Sequence, residues 1–169
     1  LGVWRMTDIV YWHAATGFPL LTALTLVPLL TMGLVLCNKP ARSLNIGLAG
    51  ALLNLALSLY LLRVFDSRAP GIHLAENLDF LGAGYRVGVD GTNILFIPLT
   101  AILGLLALVY TMITRHRQDR LFVACLLAYQ GILIGAFAAL NAMQFWFWCL
   151  LELVPVSYTH LAGDSQMTL

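Results

Sequence analysis

A single carboxylate, Glu152, lies deep in the apolar run Ala142–Val156, A-M-Q-F-W-F-W-C-L-L-E-L-V-P-V. An ionised acid near a bilayer centre costs roughly 2.5–3.5 kcal/mol on insertion scales. Such a residue faces a protein interior or a water-filled path, and its characteristic chemistry is the handling of protons or ions. The plainer alternative is a carboxylate that hydrogen-bonds a neighbouring helix, or one close enough to an interface to stay wet. No other carboxylate occurs within the long apolar runs of the chain.

Other chemistries find little support. Gly82-Ala-Gly84-Tyr-Arg-Val-Gly88 misses G-x-G-x-x-G by one place, and no strand is expected before it, so a dinucleotide site fails. His13, His73, His116 and His160 form no spaced pair for a metal. Cys37, Cys125 and Cys149 are dispersed and odd in number, which gives neither a disulfide framework nor a C-x-x-C. They read as packing cysteines. No Ser–His–Asp arrangement is visible. The chain is therefore expected to hold no cofactor and no metal of its own, and its candidate chemistry is protonation inside a membrane.

The elements that must position Glu152 follow from composition. The chain is 60% hydrophobic and 10% charged, against about 25% charged in a soluble domain. Its net charge of +1 gives no argument for a nucleic-acid partner. Crossing a bilayer takes about 20 apolar residues. Four runs meet that length: Phe18–Cys37, Leu44–Leu62, Ile94–Ile113 and Leu121–Leu140. A fifth starts at Ala142 and is apolar only to Val156. Lipid cannot satisfy backbone polar groups, so such spans must be helices. The expected fold is an all-α membrane protein, a bundle of about five transmembrane helices with the fifth incomplete. The first apolar stretch does not read as a cleavable signal, since the mixed segment Leu1–His13 precedes it and no small-residue cleavage site follows it promptly.

Loop charge suggests an orientation. The turn after the first span holds Lys39 and Arg42, and the turn after the third holds Arg115, Arg117 and Arg120. The longer loop Arg63–Asn93 is mixed, with Asp66, Glu76, Asp79 and Asp90. Basic loops belong on the cytoplasmic side, which places the amino terminus and the long loop outside. Several residues read as packing devices. Gly131-Ile-Leu-Ile-Gly135 predicts a close helix contact. Asn54, Ser58 and Gln130 are expected to hydrogen-bond across helices. Pro28, Pro98 and Pro155 are expected to kink theirs. Trp146 and Trp148 suit either an interfacial anchor or core packing.

Tyr85-Arg-Val-Gly-Val-Asp-Gly91, followed at once by the apolar run from Ile94, carries a family likeness. A tyrosine and then G-V-D-G before the third helix resembles the antiporter-like membrane subunits of respiratory complex I, nearest to the chain M (chain 4) type of NADH-quinone oxidoreductase. The order of elements agrees over about Gly17 to Val156, with Asn141 where the family often has Asp. The resemblance implies a membrane-arm subunit that couples quinone reduction to proton translocation. NADH, flavin, iron–sulfur clusters and quinone would then sit in partner subunits, and other membrane subunits and the lipid bilayer would be the partners. It implies an integral protein of a bacterial inner membrane. In the family a glutamate of the fifth helix transfers protons with a lysine of a later helix. Counting from the proline, that position falls on Leu150; reading from E-L-V, it falls on Glu152. The two are about 200° apart around a helix, and Glu152 is the expected proton-transfer residue because it is the acid present. Asp90 reads as a cap on the helix starting near Thr92, or as a charge at the mouth of the third span. A subunit of a multisubunit cation/proton antiporter, a hydrogenase or a carbon-uptake complex shares these features. So, at lower specificity, does a small structural membrane protein.

The carboxyl end departs from the family. Val156-Ser-Tyr-Thr-His-Leu161 matches one reading frame of a transposase mosaic-end adapter. Residues 1–155 are therefore expected to be the amino-terminal portion of an antiporter-like subunit, and residues 156–169 a non-native tail. A chain truncated there is not expected to pump protons by itself.

Overall fold

The computed structural model describes residues 11–12, 18–65, 71–80, 83–114 and 120–164. Five helices dominate: α1 (Leu20–Cys37), α2 (Pro40–Val64), α3 (Phe96–Thr114), α4 (Arg120–Ala138) and α5 (Ala142–Asp164). The first four are long and apolar enough to cross a membrane, and α5 has a shorter apolar part, Ala142–Ser157. The all-α membrane bundle is thus present, with its fifth apolar segment short. One core gathers the starts of α1 and α3 with the ends of α2 and α4, and the other gathers the opposite ends, so consecutive helices alternate in direction and α2 and α4 run parallel.

Each helix buries one narrow stripe and leaves leucine, phenylalanine and methionine on its outer side. In water that surface would aggregate; in hydrocarbon it is the solvated face. Two cores fill the bundle. One joins Leu20, Leu21 and Leu24 of α1 with Leu61, Ile97, Ile134 and Ala138. The other joins Val35, Ala51, Leu108, Val123 and Leu127 towards the opposite end.

The loop between α2 and α3 holds strands that the charge-based reading did not anticipate. β2 (Ile72–Phe80) pairs antiparallel with β3 (Ala83–Val89), and β1 (Tyr11–Trp12) pairs parallel with β2. The register slips by one residue between His73 and Glu76, where Leu74 adopts a positive φ of 52°. This is the geometry of a bulge, which bends the strand. Gly84 and Gly88 lie inside β3, so the glycine-rich stretch is not the turn that opens a helix onto a phosphate.

Three local expectations need correction. Pro98 is the third residue of α3, where an N–H has no helical acceptor anyway, so it gives no reason for a kink. The fifth helix, expected to be incomplete with its apolar run ending at Val156, continues as helix to Asp164. Ser58 donates to Leu55 O of its own helix at 2.8 Å rather than across helices. The basic connection at 115–119 lies outside the described residues, as does His13.

Candidate functional site at the seam of α4 and α5

Glu152 lies ten residues into α5. At 1.5 Å per residue that is about 15 Å from the helix start, half of a roughly 30 Å hydrocarbon layer. α4 runs the other way and ends at Ala138, so Tyr129 lies about 13.5 Å below the same end. The two side chains meet. The Tyr129 hydroxyl faces the Glu152 carboxylate. Glu152 is half-buried and Tyr129 is 38% exposed. An open groove of about 210 Å³ adjoins them, lined by Phe122, Cys125, Leu126, Tyr129, Pro155 and Val156.

Packing fixes this seam. The Trp148 ring covers Gly135: a Cβ there would lie 2.5 Å from the indole Cε2. Trp148 is 9% exposed and Trp146 is 67% exposed, so the first packs in the core and the second faces outwards. Gly131 serves a different helix, lying against Leu29 and Pro28 of α1. The G-x-x-x-G stripe therefore receives one neighbour on each glycine. Leu150 is 58% exposed, on a side of α5 turned away from Tyr129.

A second polar cluster was missed in the sequence. Glu76 of β2 accepts Leu21 N at 2.7 Å and Thr22 N at 2.9 Å, and Thr22 Oγ1 also donates to it. It therefore caps the first turn of α1 from another element, where free N–H groups and the helix dipole favour an anion. The Tyr85 hydroxyl lies beside Thr22 and Thr25. Burial pushes the Tyr85 phenol above its ordinary value of 10.0, opposed by the Thr22 hydrogen bond and assisted by the Glu76 charge. The available signal was alternation: Glu76 stands in the period-2 register of Leu78 and Phe80.

Asp90 is a cap. Its Oδ1 accepts Thr92 N and Asn93 N, both at 2.8 Å, while Asn93 Oδ1 accepts Asp90 N at 2.7 Å. Asn93 Nδ2 donates onward to Phe137 O at 3.0 Å, tying this turn to α4. The polar ring around Gly88-Val-Asp-Gly91 thus ties the turn before α3 to α4. His73 is buried against the Phe65 ring, centroids 4.6 Å apart. Among the described residues no three His, Cys, Asp or Glu side chains are placed to share a metal.

No family model matches the chain. Curated relatives do. Subunit M of NADH-quinone oxidoreductase from Rickettsia conorii is 30% identical over 122 residues, 70% of this chain and 25% of its own length. The chain resembles subunit M. F(420)H(2) dehydrogenase subunit M from Methanosarcina mazei is 31% identical over 144 residues, 83% of this chain and 29% of the relative. The chloroplastic NAD(P)H-quinone oxidoreductase chain 4 of Staurastrum punctulatum is 34% identical over 149 residues, 83% and 28% respectively. This subunit M-like chain thus spans a quarter to about three tenths of the length of these relatives.

Proposed function

We propose that the chain is part of a membrane-arm subunit of a complex I-type oxidoreductase that couples quinone reduction to proton translocation, with Glu152 transferring the proton. The observation that carries this reading is the carboxylate at mid-depth of α5, facing Tyr129 of α4 beside an open groove. The likeness to subunit M supplies the coupling. A buried carboxylate without a cation holds its proton more tightly, and an approaching positive charge releases it. Redox steps elsewhere in the complex would drive that alternation. NADH, flavin, iron–sulfur clusters and quinone then belong to partner subunits. The membrane is a bacterial inner membrane, with the strands and the start of α1 outside.

The electron donor has a second reading with its own support. The Methanosarcina mazei relative is named for F(420)H(2) and the Staurastrum one for NAD(P)H. The bundle serves any of these donors, since none of them need touch it.

Glu152→Gln in the intact complex tests the proposal. The expected result is a loss of coupled proton translocation of about a hundredfold, the lower range for removing a positioned acid–base group, with the complex still assembled. Full translocation with a lowered melting temperature would overturn it and leave Glu152 as a structural hydrogen-bond partner.

A further inference from the structure

The bundle interior holds two carboxamides that nothing in the Glu152 reading uses. Asn54 of α2 is 0% exposed and Gln130 of α4 is 2% exposed. Both nitrogen and oxygen atoms of each amide lack a hydrogen-bond partner among the described residues. Leaving a buried donor or acceptor unpaired costs about 1–3 kcal/mol, so two whole amides at mid-membrane call for a shared solution.

Helix register places them together. α2 and α4 run parallel, and Gly47 of α2 lies against Val123 of α4, where an added Cβ would sit 2.8 Å from Val123 Cγ1. Seven residues advance a helix by two turns and return it to nearly the same face. Seven beyond Gly47 is Asn54, and seven beyond Val123 is Gln130. The two amides therefore occupy the same depth on facing stripes. The third wall is α3. The Gln130 amide lies over Gly104, whose absent Cβ would come 2.6 Å from Oε1 and 2.7 Å from Cδ. Glycine at that position makes the space the amide fills.

We infer that Asn54 and Gln130 together hold an internal water at the α2–α3–α4 seam, each amide offering it a donor and an acceptor. Two facing carboxamides supply the two to four polar partners a buried water requires. This hydrated point lies on the face of α4 that carries Gln130, separate from the Tyr129 face that meets Glu152.

Water-edited solid-state NMR on the full chain in lipid, labelled with 15N at Asn and Gln side chains, tests it. The expected result is magnetisation transfer from water to both amides, each assigned by its loss in Asn54→Leu or Gln130→Leu. Asn54→Leu should also abolish the transfer at Gln130, while Ser58→Ala, whose hydroxyl bonds its own helix, should leave both unchanged. Wild-type amides that correlate with each other and receive nothing from water would overturn the inference, as would a Gln130 signal that survives in Asn54→Leu. The wild-type spectrum decides even if a leucine variant fails to fold.

Discussion

Glu76 shows how one side chain can hold two elements. Its carboxylate reaches from a strand to the free N–H groups of α1, a bond pattern normally supplied by a residue just before the helix. The local N-cap of α1 is Pro19, which offers no side-chain bond, so the remote acid replaces it. Glu76→Ala should lower stability by about 1–2 kcal/mol, the scale of a lost cap, measured as a fall in melting temperature in micelles. Tyr85 belongs to the same cluster and titrates. Its folded phenol ionises above the ordinary value of 10.0, so the neutral form is favoured by folding. That contribution is complete below about pH 10 and is lost as pH rises through the higher folded value. Thermal scans across that window should show a steeper loss in wild type than in Tyr85→Phe. Residue chemistry was unevenly legible. Asp90 could be read as a cap because the N–H groups that donate to it lie two and three residues away. Glu76 could not, because its partners are 55 and 54 residues away, and local sequence carries no signal of that pairing.

Elements were more legible than their contacts. Long apolar runs flanked by charge mark α1 to α4 within a few residues, since hydrocarbon thickness sets their length. The hairpin was missed for a physical reason: β2 spreads His73, Glu76 and Asp79 among its apolar positions, and that mixture reads as a polar loop. The glycine stripe predicted a contact but not that it would divide between α1 and α5. Gly135→Ala drives a methyl group into the Trp148 ring, and should destabilise by about 1–3 kcal/mol through overpacking. Gly33→Ala in α1 meets nothing within 4 Å and should not lower the melting temperature. Equal effects of the two in thermal denaturation would show that α4 and α5 do not pack through this ring. The same approach makes Glu152 legible only in part. Its depth follows from counting, whereas its partner Tyr129 depends on which face of α4 meets α5.

At the scale of the whole molecule, charge and topology agree. Lys39, Arg42 and Arg120 lie at the end of the bundle opposite the strands, where Arg120 Nη1 reaches Asn38 O at 3.5 Å. The exposed thiol of Cys37 lies at that end. If basic loops face the cytoplasm, a membrane-impermeant maleimide should label Cys37 in permeabilised cells and spare it in intact spheroplasts; labelling from outside would invert the bundle.

The strands also set how the bundle can move. β3 meets the α4–α5 turn through Leu140 N to Arg86 O and Arg86 N to Gln144 Oε1, both at 3.0 Å, while β2 holds the start of α1. Helices clasped at one rim behave as levers with a common fulcrum. A tilt of about 5° in α5 about that rim displaces Glu152 by about 1.3 Å, its arm being ten residues long. That is a large part of the difference between making and losing a hydrogen bond. A displacement of α5 far from that rim would thereby change what Glu152 touches halfway along the helix.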